Sequence, residues 1–194
     1  MTCKMIWIQI AILLFLEGAQ ISKRSFLTKY AQILFWISVA VSFLNSAYFS
    51  CLQYKIWENG PLGVFLLPPH RGVGYFIEYS AWKFWAPAII SLIIALVFLS
   101  VFGLLNRKYQ EKFLEKEEPY LAGVSIVLAG YPGFLVYGLL FFGLFFMANL
   151  FNSFKKGRSY RISPYYFWIP AAVIAILICE LWLSRLPWWN SLII

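Results

Sequence analysis

The chain has 194 residues, of which 62% are hydrophobic and 12% charged, with a net charge of +8. A charged share about half that of ordinary globular domains excludes a soluble fold of this size, because lipid has to cover part of so much apolar surface. The positive balance does not indicate nucleic acid either, since Lys and Arg stand in short stretches between apolar runs, as they do in the loops of membrane proteins.

The first apolar run begins at Met5, behind Lys4. It resembles a signal-peptide core, but Glu17-Gly18-Ala19-Gln20 is a poor cleavage site, so a short uncleaved helix over 5–20 is expected. Glu17 and Gln20 then read as boundary residues. A spanning helix needs about 20 apolar residues. Segment 30–53 qualifies, although Asn45 and several serines make it partly polar. Segment 54–83 is rich in Gly, Pro and aromatics and is expected as an outer loop, with 75–85 at headgroup depth. Segment 84–105 is the strongest span. Segment 164–184 is another, with Pro170 expected to kink it. Trp188 and Trp189 follow as an interfacial anchor.

Segment 120–151 is too long for one upright span and short for two. Its middle reads Gly130-Tyr131-Pro132-Gly133, a strong turn signal. Three segments carry basic residues: 21–29 (Lys23, Arg24, Lys29), 106–118 (Arg107, Lys108, Lys112, Lys116) and 154–163 (Lys155, Lys156, Arg158, Arg161). The positive-inside tendency puts all three on the cytoplasmic side. The last two share a side only if 120–151 reverses, so a hairpin of helices 119–130 and 133–153 is expected; the alternative is one long tilted helix kinked at Pro132. The expected fold is all-α: a single membrane domain with five to six transmembrane helices.

Chemistry has few carriers. There is no Asp, one histidine (His70), and three scattered cysteines, Cys3, Cys51 and Cys179. No metal-ligand spacing occurs, and no cofactor is expected. Glu111 with Glu115, and Lys108 with Lys112, sit four apart, which suggests a solvated helical extension. Glu117 and Glu118, at the mouth of a membrane helix, are the candidate catalytic carboxylates, with Glu118 first. Pro119 suits a first helical turn, and an acid just before it favours the helix dipole. Glu180, inside an apolar run, and the loop residue His70 are the other polar candidates. Gly138, Gly143 and Ala148 read as helix-packing positions.

From about Phe84 onward the chain resembles the C-terminal membrane domain of type IV prepilin peptidases. The likeness rests on Glu118-Pro119-Tyr120-Leu121-Ala122, Leu128-Ala129-Gly130-Tyr131-Pro132-Gly133, Phe154-Lys155-Lys156-Gly157-Arg158 and Arg161-Ile162-Ser163-Pro164-Tyr165-Tyr166. Ile21-Ser22-Lys23-Arg24-Ser25-Phe26 is a weaker echo. The resemblance implies a bacterial inner-membrane protein and a membrane aspartyl protease, whose mechanism needs two carboxylates. Here Glu118 falls where the second Asp of the family stands, the glycines before it are replaced by Glu115-Lys116-Glu117, and the first Asp falls near Cys51, where there is no acid. The family's cysteine-rich segment is absent. The implied function is therefore that of a diverged, non-catalytic relative in the lipid bilayer that binds an apolar helix, such as a pilin-like signal segment or another membrane-helix protein. The alternatives are a structural subunit of a larger membrane complex, a small transporter using Asn45, Asn149 and Glu180, and an active protease using Glu118.

Overall fold

In the computed structural model, residues 3–22, 24–109, 114–156, 163–190 and 192 are described. Among them every regular element is helical and there is no strand. In chain order they are α1 (Cys3–Ser22), α2 (Arg24–Asn59), a 3-10 turn (Gly63–Leu66), α3 (Val73–Ser80), a π segment (Ala81–Trp85), α4 (Ala86–Lys108), α5 (Glu118–Ala129), α6 (Gly133–Lys156), a second 3-10 turn (Pro164–Phe167), α7 (Trp168–Leu181), a third 3-10 turn (Leu183–Arg185) and α8 (Pro187–Asn190). Four helical runs are long and apolar enough to cross a membrane: Ser25–Asn59, Val73–Lys108, Gly133–Lys155 and Pro164–Arg185. α1 and α5 are shorter apolar helices. At about 1.5 Å per residue α5 is about 18 Å long, against a hydrocarbon core of about 30 Å.

Three side-chain hydrogen bonds fix the direction of the helices. Gln20 Nε2 donates to the Tyr165 carbonyl, Thr28 Oγ1 donates to Glu117 Oε1 at 3.2 Å, and Ser163 Oγ donates to Glu118 Oε1 at 3.2 Å. The α1–α2, α4–α5 and α6–α7 connections therefore meet at one end of the bundle, which is also where Lys29, Lys108, Lys116 and Lys155 lie. The α2–α3 and α5–α6 connections fall at the other end.

The chain reverses between α5 and α6 instead of running on as one long helix. Gly130 closes α5 with φ +66°, a conformation that costs a residue with a Cβ. Its N–H donates to the Ile126 carbonyl, and its own carbonyl accepts from Phe134 N–H at 2.8 Å, so the turn is satisfied from both sides.

The expected outer loop 54–83 is corrected. α2 runs on to Asn59 and the next helix starts at Val73, leaving only 60–72 as connection. The apolar windows understate both helices because their ends are built from aromatics and serines. Trp57 meets Tyr75, Phe76 and Tyr79 with ring centroids 6.1, 5.5 and 4.9 Å away. Ser80 Oγ donates to Ser50 Oγ at 2.6 Å, Trp85 Nε1 donates to the same hydroxyl at 3.1 Å, and Ser46 Oγ donates to the Phe84 carbonyl at 2.9 Å. Gly63 is required in the connection, since a Cβ there would stand 2.6 Å from the Trp57 backbone. Pro170 lies in the first turn of α7, directly after the 3-10 turn Pro164–Phe167, where a helix has no use for that N–H. The tryptophan anchor is divided, with Trp189 buried and Trp188 exposed.

α5 is the centre of the core. Every residue from Leu121 to Leu128 is buried. Helices α2, α4, α6 and α7 pack around it. Gly123 lets α2 approach: a Cβ there would lie 3.0 Å from the Phe35 ring and 3.5 Å from Leu99. Ser125 Oγ donates to the Trp168 carbonyl at 3.1 Å, tying α5 to the start of α7.

Candidate functional site: a lateral groove with a polar end

α6 packs on α5 and α7 and leaves its side toward α4 open. A groove of about 1250 Å³ runs along it, bounded by α4 (Phe98, Phe102), α5 (Glu118, Ile126), α6 from Phe134 to Asn149, and the start of α7 (Trp168). From Phe134 to Asn149 of α6 the groove is about 22 Å long. Its wall is aromatic. Phe141 stacks on Trp168 with centroids 3.8 Å apart, and Phe98 meets the same indole edge-on at 5.8 Å. Phe142 and Phe146 remain largely exposed at its lip. Trp168 Nε1 and Tyr137 Oη lie buried beneath this wall; among the described residues the indole N–H has no hydrogen-bond partner, and the Tyr137 hydroxyl has only the Ser125 hydroxyl beside it. Tyr137 neighbours Ser125, whose hydroxyl is already committed to the Trp168 carbonyl.

The packing role expected of Gly138 and Gly143 is corrected. Nothing stands within 4 Å of a Cβ built at either one, and both line the groove. They leave its floor bare of side chains rather than bringing two helices of this chain together. Gly123, which carries no sequence signal beyond its apolar surroundings, is the close-packing glycine.

One end of the groove is polar. It is lined by Glu115, Glu118, Asn149 and Ser163. Glu118 is 1% exposed and Glu117 5% exposed. Both stand at the start of α5, where the helix dipole favours a carboxylate and Pro119 occupies the first turn. The two acids diverge, Glu117 toward Thr28 and Glu118 toward Ser163. The solvated helical extension expected here is corrected over 114–117, which is non-helical. Leu114 is buried there, and its N–H donates to Asn106 Oδ1 at 3.3 Å. Glu111 and Lys112 lie outside the described residues, as do Lys23, Arg158 and Arg161.

Of the sequence candidates Glu117, Glu118, Glu180 and His70, Glu118 alone lines the groove, and Asn149 of the transporter alternative lines it too. Glu180 lies in the last turn of α7, its carbonyl accepting from Ser184 Oγ, about 18 Å along the helix from Trp168. His70 is exposed in the 60–72 connection with its ring 5.0 Å from Phe65, at the opposite end of the bundle from Glu118. Cys51 is 23 residues beyond Thr28 on α2, about 35 Å from the Glu117 level. Sequence reading missed Gln20, Thr28 and Ser163 as partners of this end. Ser163 had a usable signal: it precedes Pro164, and its hydroxyl caps the 3-10 turn by accepting from Tyr165 N–H at 3.2 Å. Compared with known proteins, the chain matches no family model, no curated protein and no solved structure.

Proposed function

We propose that this chain is an integral membrane protein of six antiparallel helical segments that receives an apolar helix of a partner in its lateral groove without doing chemistry on it. Four of the segments are full-length spans; α1 and α5 are the short ones, with α5 shielded from lipid by its neighbours. The observation that carries the reading is the groove itself, open on the side of α6 that faces outward, floored by Gly138 and Gly143 and walled by aromatics. Small residues are where membrane helices approach one another closely. A bacterial inner-membrane location and a pilin-like signal helix as the guest are the part of this proposal that rests on the resemblance of the sequence to prepilin peptidases.

The absence of catalysis is supported by the carboxylates. A paired-acid mechanism needs two acids within hydrogen-bonding reach, directly or through one water. The family's first acid position falls near Cys51, at the far end of α2, and Glu117 turns away from Glu118 toward Thr28. Glu115 lines the same groove as Glu118, which favours a second reading as a protease. Glu118→Gln separates the two, because a protease loses cleavage of a signal-bearing helix and a receptor still binds it.

The direct test is photo-crosslinking in liposomes between the full chain and a synthetic 20-residue (roughly one span) Leu/Ala helix. Crosslinks are expected to Phe142, Gly143 and Phe146, and to fall several-fold in Gly143→Trp. Crosslinks spread evenly around the bundle, or unaffected by Gly143→Trp, would overturn the reading.

A further inference from the structure

We infer that a second site, at the end of the bundle opposite Glu118, holds the headgroup of a zwitterionic phospholipid, its ammonium on the rings of Tyr79 and Trp82 beside Glu78 and its phosphate at Lys83. The site shares no residue with the groove and needs only that the chain spans a bilayer.

Tyr75, Glu78, Tyr79, Trp82 and Lys83 stand at helical spacing on one face of the run that begins at Val73, and together they line a pocket of about 360 Å³. That is the low end of small-ligand pockets, roughly 300–1,000 Å³, so it takes a headgroup and not a helix. Its walls are fixed from behind. Trp57 of α2 meets Tyr79 at 4.9 Å and Tyr75 at 6.1 Å, and the Arg71 guanidinium lies 4.4 Å from the Tyr75 centroid. Trp82, by contrast, is 61% exposed and among the described residues has no ring partner. It lies in the π segment Ala81–Trp85, where the Ala86 N–H reaches back to the Ala81 carbonyl. Pro87 explains the wide turn, since it has no N–H for the Lys83 carbonyl four residues before it. Such π turns recur at functional sites.

The apolar part of this run, 84–105, is about 33 Å long and fills the roughly 30 Å of hydrocarbon. Lys83 therefore stands at the hydrocarbon boundary, and Glu78 about 7 Å further out. A phospholipid offers its groups in the same order, phosphate next to the glycerol and ammonium beyond it. Among the described residues neither Glu78 nor Lys83 is in an ion pair. Sign then selects the class. Arg71 and Lys83 disfavour a free ammonium solute, and Glu78 disfavours a net-anionic headgroup, so a zwitterion alone satisfies both. A cation over Tyr or Trp is attracted by the ring quadrupole, most strongly over Trp. With one face of Tyr75 taken by Arg71, Tyr79 and Trp82 carry the ammonium.

The full chain is reconstituted in equimolar phosphatidylethanolamine, phosphatidylcholine and phosphatidylglycerol, extracted in mild detergent, and its retained lipid measured by native mass spectrometry. Wild type is expected to keep each zwitterionic lipid over phosphatidylglycerol by about fivefold, the factor of one exposed cation–π contact. Trp82→Ala is expected to abolish that preference, Trp82→Tyr to keep most of it, and Glu78→Lys to invert it; both side chains are exposed, so these variants leave the packing intact. Gly143→Trp, which fills the groove, should leave the preference unchanged, and millimolar free choline should not displace the lipid. Equal retention of the three lipids, or a preference that survives either Trp82→Ala or Glu78→Lys, would overturn the inference. So would loss of the preference in Gly143→Trp, which would put the lipid in the groove, or displacement by choline, which would give the site to a soluble ammonium compound. Failure of the helix crosslinking with the lipid preference intact would sink only the proposed function.

Discussion

α5 and α6 are consecutive apolar helices joined by a three-residue turn, and they meet opposite fates. α5 is buried from Leu121 to Leu128, while α6 exposes Leu139, Phe142, Phe146, Met147 and Phe151. Both carry glycines. On α5, Gly123 sits against the Phe35 ring; on α6, Gly138 and Gly143 face open space. Apolarity therefore does not tell a core helix from a lipid-facing one. Length and side-chain size do: a 12-residue helix of small and aliphatic residues fits inside a bundle, and a 24-residue helix studded with phenylalanine has to lie outside it.

The contrast can be broken by substitution. The largest effect is expected for Gly123→Leu, which drives a side chain into Phe35 and Leu99 and should cost about 2–3 kcal/mol in reversible unfolding from mixed micelles. An unchanged midpoint would mean that α5 is not the packed centre. Ser125→Ala, which removes the buried bond to the Trp168 carbonyl, should cost about 1 kcal/mol by the same measurement. No loss would show that α7 is held to α5 by packing alone. Gly138→Leu should change stability by less than about 0.5 kcal/mol, since its new side chain enters the groove. A loss as large as that of Gly123→Leu would show that α6 has a partner within the chain.

Much of the architecture was legible before any coordinates, and the reasons are local. The reversal at Gly130 was written in a Gly-aromatic-Pro-Gly turn and in the distribution of Lys and Arg, both of which act at short range. The lengths of α2 and of the helix beginning at Val73 were not legible, because their ends are aromatic and polar and gain their stability from each other: Trp57 from Tyr79, Ser50 from Ser80. The site was legible in part. Glu118 announced itself as an acid ahead of a proline at a membrane-helix entrance. Its partner Ser163 and the tie from Gln20 to Tyr165 join residues 45 and 145 positions apart, and no sequence window contains such pairs. The groove was invisible for the same reason, since it is defined by what fails to cover α6.

The topology can be measured directly with single cysteines at Lys29, Lys116 and Lys155, each introduced into a chain whose Cys3, Cys51 and Cys179 are replaced by Ser, and reacted in sealed vesicles with a thiol reagent that does not cross the bilayer. All three positions should label from the same face, and a cysteine at Asn59 from the opposite one. Labelling of positions 116 and 155 from opposite faces would mean that the chain does not fold back at Gly130, and the groove would then not exist.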